Sequence, residues 1–362
     1  MKALHQILVG ASPGDAITSS ALLLRAALRG YGESEVFAWF VHPDLEHEIL
    51  PAQLFEAWIE ARREEPVVIL HASIGAPELI ESILARPGSI VLVYHNMSPP
   101  DDVEHFDRQR AENLREGRRE LERICSRVQL VVADSTFNAK ELEELGYPDV
   151  RVMPLPFDPT ALSRATSDPE MTNRLETEIA GPLLLFVGQL MPHKRIDWLI
   201  QAFHCLVTFS IPNAHLLIVG EDRLPGFRDV LQQYLDELNL GNARIITGVT
   251  DAELATIYRK ADAFITLSEH EGFCVPVLEA MTFGLPVTAR AVGAVPETMA
   301  GAGLLLPQRA GPCEAAEFMR AMLDDDEVRE GLKVKGARRI RSFIERDHPA
   351  RMAGEIAEYF QA

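Results

Sequence analysis

The sequence predicts an α/β protein built from two successive doubly wound parallel sheets, and three observations carry that prediction. Short apolar runs alternate with amphipathic helical patterns, which is the rhythm of βα units around a buried sheet. The rhythm restarts after a proline-rich break. The length of 362 residues suits two domains at roughly 150 residues each.

The first series of apolar runs covers residues 7–9, 36–41, 67–70, 90–94 and 130–133, with helical patterns over 16–29, 77–85 and 137–145. The second covers 183–187, 216–219, 244–246, 263–267, 286–289 and 304–306. Between them, residues 153–159 hold Pro154, Pro156 and Pro159, which can continue neither a helix nor a central strand. These signals divide the chain into a first domain over 1–157, a polar linker over 158–181, a second domain over 182–345 and a terminal segment over 346–362. In that last segment Met352, Ile356 and Tyr359 or Phe360 keep helical spacing, as in a helix lying back on the body. Two doubly wound halves imply a cleft between the carboxyl ends of their strands, so functional residues are expected just after strands.

Composition narrows the function classes. The chain is 47% apolar and 25% charged, as in an ordinary globular protein, which argues against disordered and fibrous classes. A net charge of -19 argues against a nucleic-acid partner held by counterion release. Cys125, Cys205, Cys274 and Cys313 are far apart and form no CxxC pair, so neither a disulfide framework nor a zinc knuckle is predicted, and a reducing cytosol fits. No stretch approaches the about 18 apolar residues that span a bilayer. The expected location is therefore cytoplasmic, with peripheral contact at the inner face of the plasma membrane as the membrane-bound variant. The segment 104–128 carries seven arginines mixed with acids, while Leu114, Leu121, Ile124 and Val128 keep a three-four spacing. That pattern reads as a solvated helix face with ion pairs, and its sharper alternative is a patch for anionic lipid head groups.

The densest chemical constellation is the stretch 268–281, SEHEGFCVPVLEAM, directly after the run 263–267. Pro276 suits the first turn of a helix that Gly284 and Pro286 end, so the free N–H groups near Phe273, Cys274 and Val275 face the sheet's carboxyl edge, where a phosphate can bind. Glu271 lies before that helix and Glu279 within it, placed to accept hydrogen bonds from sugar and ribose hydroxyls; either acid alone would merely offset the helix dipole. Gly272 allows close backbone approach. No HExxH, Cys/His metal spacing or DxD motif stands out, so no metal and no cofactor is expected.

This stretch, followed by Gly284-Leu285-Pro286-Val287 and by Gly293 with Pro296-Glu297, resembles the donor-site signature of the GT4 family of retaining glycosyltransferases. The resemblance extends over nearly the whole chain. Val187-Gly188-Gln189-Leu190-Met191-Pro192-His193-Lys194 resembles the family's phosphate-binding turn, and Gly248-Val249-Thr250-Asp251 through Tyr258 and Asp262 its loop and helix near the nucleotide base. Tyr94-His95-Asn96 and Ala133-Asp134-Ser135 stand where the family carries cleft residues.

The resemblance implies the GT-B fold, two Rossmann-like domains facing a central cleft with the nucleotide-sugar held mainly by the second. It implies a donor site of Gly188, Gln189, Lys194, Gly248, Val249, Glu271, Gly272, Phe273, Cys274 and Glu279, and catalytic roles for His95, Lys194 and Glu271. Lys194 would neutralise the leaving diphosphate, Glu271 bind the donor sugar, Glu279 the ribose, and the His95 ring emerge beside the reacting sugar. Where the family carries an arginine, Gln189 supplies a donor without charge, and Arg195 and Arg290 are the cations at hand to compensate. Weaker acceptor-side candidates are Gly14 and Asp15, His71 and Asn96. The implied activity is transfer of a hexosyl group, with retention, from GDP-mannose or a UDP-hexose to a carbohydrate or lipid-linked acceptor in surface polysaccharide or glycoconjugate synthesis. The rival readings are a sugar-nucleotide epimerase of the same architecture and a non-catalytic transferase-like scaffold.

Overall fold

The computed structural model describes residues 2–63 and 65–361. By its contacts the chain divides into two compact units. One is built from the chain up to Pro100, from Gln109–Phe157 and from Glu345 onward; the other comprises Asp101–Arg108 and Asp158–Ile344.

The first unit holds β1 (Leu4–Ala11), β2 (Val36–Val41), β3 (Leu50–Pro51), β4 (Val67–Ala72), β5 (Ser89–Tyr94), β6 (Leu130–Ala133) and β7 (Arg151–Val152) in one parallel sheet, ordered β3-β2-β1-β4-β5-β6-β7. β4 and β6 are buried along their whole length, which is why they read as continuous apolar runs and not as alternating ones. The helix Ala16–Leu28 starts where the Asp15 carboxylate accepts from Thr18 N at 2.8 Å. The helix His348–Gln361 belongs to this unit. Its Met352, Ala353, Ile356 and Ala357 are buried against Leu4, Leu24, Leu28, Val67, Val91 and Val132, and Glu355 pairs with Arg151.

The arginine-rich segment forms the helix Arg108–Ile124, with Leu114, Leu121 and Ile124 buried. Its cations are met by acids: Arg115 and Arg119 by Glu112, Arg119 and Arg123 by Glu116, Arg123 also by Glu81, and Arg118 by Glu141. These four arginines form the ion-paired face that the mixed pattern predicts. Among the described residues no helix is long and apolar enough to cross a membrane.

The second unit holds β8 (Leu183–Val187), β9 (His215–Val219), β10 (Ala243–Ile246), β11 (Ala263–Thr266), β12 (Val287–Arg290) and β13 (Leu304–Leu306), parallel and ordered β10-β9-β8-β11-β12-β13. The strand order reverses beside β1 in one sheet and beside β8 in the other. At such a reversal neighbouring loops leave in opposite directions and open a crevice at the carboxyl edge.

The structure departs from the sequence reading in the polar stretch after residue 158. It contains the helix Pro169–Glu178, because Asp168 caps it through Met171 N at 2.6 Å and Met171 and Leu175 bury an apolar face too short to stand out in the sequence.

The docked terminal helix makes the first unit's stability depend on a distant segment. Met352→Ala, at a side chain with no exposure, is expected to lower stability by about 2–5 kcal/mol, read as a lower urea midpoint by circular dichroism. An unchanged midpoint would show that the helix adds nothing to that core.

Candidate active site

In the second unit the site forms at the strand-order reversal. β8 and β11 are hydrogen-bonded neighbours, with Ala263 paired to Leu184 and Phe264 to Leu185. The chain leaving β8 makes the short helical turn Pro192–Lys194, and the chain leaving β11 makes the loop to Cys274. Strand pairing therefore joins residues 77 apart in sequence: Lys194 Nζ donates to Glu271 Oε1 at 2.8 Å, with the two side chains only 18% and 8% exposed. Burial disfavours the Lys194 ammonium, and the facing Glu271 carboxylate outweighs it, leaving its pKa above the ordinary lysine value.

Backbone geometry fixes Glu271. Its carbonyl accepts from Ala294 N at 2.9 Å, and a Cβ on Gly293, whose φ is +51°, would fall 2.3 Å from that oxygen. The glycine of the Gly293-x-x-Pro296 motif is thus required by close approach. Gly272 is half-buried and Phe273 buried, with the Phe273 carbonyl accepting from Thr298 Oγ1 at 2.5 Å. Cys274 takes a left-handed φ of 71° and precedes the helix Val275–Thr282, which carries Pro276 in its first turn. Burial, reinforced by Glu271, pushes the Cys274 thiol well above its ordinary value, so it is a poor nucleophile.

Glu279 accepts from the Tyr258 hydroxyl at 3.0 Å, and burial pushes its pKa up to about 7. Tyr258 belongs to the helix Asp251–Lys260 and stacks on Phe283 at 4.9 Å. That helix follows Gly248, exposed at φ +70°, and Val249, and Thr250 opens it with a capping box to Glu253. The Glu279 carboxylate and the loop at 248–249 are thereby tied through one tyrosine.

At the end of β8, Gly188 N donates to Val219 O at 3.0 Å, and a Cβ on Gly220 would lie 1.9 Å from Gly188 O. Gly220 is a site-shaping residue that sequence reading missed; only its place after a strand could have pointed to it. Gln189 is half-buried. The two cations available to compensate for it are engaged elsewhere. Arg195 and Arg290 both bond Glu269 Oε1, at 2.5 and 3.2 Å, and both lie over the Trp198 ring, at 4.2 and 4.4 Å. Arg195 also grips Asp197, and Arg290 donates twice to the Gln308 carbonyl. Lys194 is the cation that the Glu271 loop itself holds.

In the first unit a side-chain row crosses four adjacent strands. Gln6 Oε1 contacts His71 Nε2 at 2.9 Å, His71 Nδ1 contacts His95 Nε2 at 2.7 Å, and His95 Nδ1 contacts Asp134 Oδ2 at 2.7 Å. The His95 ring does not emerge at the sheet edge: its side chain is 1% exposed, because both ring nitrogens are drawn into this row. Gln6 Nε2 donates to Ala21 O, so its Oε1 is an acceptor and His71 Nε2 carries a proton. Burial, then His95, holds His71 well below its ordinary pKa, so His71 is neutral and its Nδ1 accepts from His95 Nε2.

The other acceptor-side candidates also have structural duties. Gly14 is exposed at φ +73°, Asp15 caps the helix Ala16–Leu28, and Asn96, at φ 76°, donates to Asn138 Oδ1 and Glu141 Oε2. They lie in the loops after β1 and β5 of the first unit.

With this geometry in hand, comparison with known proteins is decisive for the second unit. Residues 169–339 match the family described as glycosyl transferases group 1. This stretch is similar to group 1 glycosyltransferases. The O-antigen chain mannosyltransferase B of Escherichia coli is 31% identical over 164 residues, 44% of this chain and 41% of that protein. The chain spans about half or less of the curated relatives it matches. Sucrose-phosphate synthase from Thermosynechococcus elongatus superposes with a TM-score of 0.76 at 18% identity over 99% of both chains. Anabaena HepE in complex with UDP-glucose does so with 0.71 at 18% identity, over 98% of this chain and 99% of its own. At such identities the likeness establishes the fold, GT-B.

The second unit carries a pH signature. Between about 4.5 and 7 the folded chain binds more proton at Glu279 than the unfolded chain does. The stability this group contributes is therefore complete below the unfolded value and lost as pH rises through the folded one. Glu279→Gln, which cannot ionise, is expected to show a shallower fall in Tm over that window. An identical slope in both proteins would contradict the assignment.

Proposed function

We propose that the chain is a GT4 hexosyltransferase, metal-independent and retaining, that takes its sugar from GDP-mannose or a UDP-hexose. Its acceptor is a carbohydrate or a lipid-linked sugar in surface polysaccharide or glycoconjugate synthesis. The observation that carries the proposal is the Lys194–Glu271 pair, lying between the ends of β8 and β11 just before a helix N-terminus.

In the pair the two charges neutralise each other. A donor diphosphate supplies Lys194 with a new anion, and Glu271 is released to accept hydrogen bonds from hydroxyls of the sugar. As the glycosidic bond breaks, charge builds on the departing phosphate, where the Lys194 ammonium and the N–H groups around Phe273 to Val275 are already aimed. Glu279 takes the ribose hydroxyls and Gly248-Val249 the base edge. A departing phosphate on the acceptor's side of the sugar accepts the acceptor proton, so no carboxylate nucleophile is needed. Among the described residues no group of three or more His, Cys, Asp or Glu is disposed to hold a metal. The names of the relatives support both donors: the Escherichia coli protein is called a mannosyltransferase, and the Anabaena structure holds UDP-glucose. On the first unit, His95 acts as a positioning residue, and acceptor contacts fall to the backbone around Gly14, Asp15 and Asn96 and to the His71 end of β4.

Nucleotide release and sugar transfer from a panel of nucleotide-sugars, with and without acceptor sugars, test the proposal. Lys194→Ala and Glu271→Ala are expected to lower kcat by roughly 10²–10³-fold with unchanged circular dichroism. Glu279→Ala, remote from the reacting centre, is expected to raise KM more than it lowers kcat. Full activity in all three would overturn the site. Isomerised donor without release would mark an epimerase, and binding without turnover a scaffold.

Ribose hydroxyls donate best to an ionised Glu279, whose pKa burial pushes up to about 7. Binding of UDP or GDP is therefore expected to tighten as pH rises through that value and to release protons in calorimetry. Glu279→Gln removes both effects; proton release persisting in that variant would contradict the ribose role.

A further inference from the structure

Cys205 lies on the helix Ile196–Phe209 and Cys313 in the first turn of the helix Pro312–Asp324. The two helices pack directly on each other, burying Ala202, Phe203 and Leu206 on one and Ala315, Ala316 and Met319 on the other. That packing brings two thiols 108 residues apart in sequence to an Sγ–Sγ separation of 3.0 Å. Both are free, Cys313 exposed and Cys205 half-buried, whereas Cys274 is buried and Cys125 lies in the other unit. A disulfide needs about 2.05 Å between sulfurs, so the gap closes by about 1 Å, within reach of small side-chain rotations on two helices already in contact.

We propose that Cys205 and Cys313 are a dithiol modification site that a low-molecular-weight disulfide converts into an intramolecular disulfide, stapling these two helices. Cys313, the reachable thiol, attacks as its thiolate, forming a mixed disulfide and expelling one thiolate. Cys205 then loses its proton and attacks Cys313 Sγ, and the second thiolate leaves. Two protein thiols are oxidised by two electrons and the small disulfide is reduced to two thiols. Burial, with the hydrogen bond to Cys313, pushes the Cys205 thiol up to about 11, so Cys205 is the poorer first attacker and reacts in the intramolecular step, where the mixed disulfide holds its target within reach.

The consequence follows from what the bond encloses. The chain between the two cysteines contains β9 to β13, Glu271 and Glu279. Closing so long a loop restricts the unfolded chain while leaving the folded donor site untouched. The site would thus hold the second unit together when the surroundings turn oxidising, a role invisible to sequence spacing.

Titration of the full chain with oxidised glutathione, followed by intact mass, thiol counting and melting, tests this. The expected product has lost two hydrogens, retains no adduct, keeps two of its four thiols, and melts roughly 5–10 °C higher, reversibly with dithiothreitol. Cys205→Ser is expected to stop at a glutathione adduct on Cys313 with no gain in Tm, and Cys313→Ser to form neither. A stable adduct on the wild type, a disulfide-linked dimer, or an intramolecular bond with no rise in Tm would each overturn the proposal.

Discussion

One contact sets the terms for the second unit: an ammonium and a carboxylate, both withdrawn from water, held 2.8 Å apart by two parallel strands that are neighbours in space and far apart in the chain. Neither charge is tolerable there alone, since an unpaired buried ion costs several kcal/mol. Each therefore makes the other's place necessary, and the strand-order reversal beside β8 makes the meeting geometrically available. The surrounding backbone is shaped to that end. Gly293 yields its side chain so that the Glu271 carbonyl can pass, Cys274 adopts a left-handed φ to turn the chain into its helix, and Gly220 yields to Gly188. A pair held this firmly is neutral overall.

The remaining charges are sorted by the same logic. Arg195 and Arg290, which by number alone look able to add to the site's positive potential, are satisfied by Glu269, Asp197 and the Gln308 carbonyl beside Trp198. They stiffen the turn after β8 and leave Lys194 as the cation paired to the donor loop. In the first unit the row Gln6–His71–His95–Asp134 spends every ring nitrogen on its neighbours. Such a row orients the ends of four strands at once.

Much of this was legible in the sequence for a physical reason: strands buried on both faces are written as continuous runs, so residues 67–70, 90–94 and 183–187 stand out without alignment. The glutamates, the lysine and Pro276 were legible because a helix start after a strand has its own residue grammar. What stayed hidden depends on neighbours supplied by folding. Leu50–Pro51 and Arg151–Val152 are strands only because β2 and β6 offer them edges. The direction of the His95 ring was set by Asp134 and His71, each on a different strand. The tie between Glu279 and Tyr258, and the meeting of Cys205 with Cys313, needed packing that no local spacing encodes.

The central claim is that Lys194 answers to phosphate and not to the rest of the ligand. Calorimetric titration of Lys194→Met against wild type, with UDP and GDP on one side and uridine and guanosine on the other, addresses it directly. The account predicts that the diphosphates lose about 10–100-fold in affinity, a charge-assisted contact of roughly 1.4–2.8 kcal/mol, while the nucleosides are unaffected. Equal losses for diphosphates and nucleosides, or no loss for either, would contradict it.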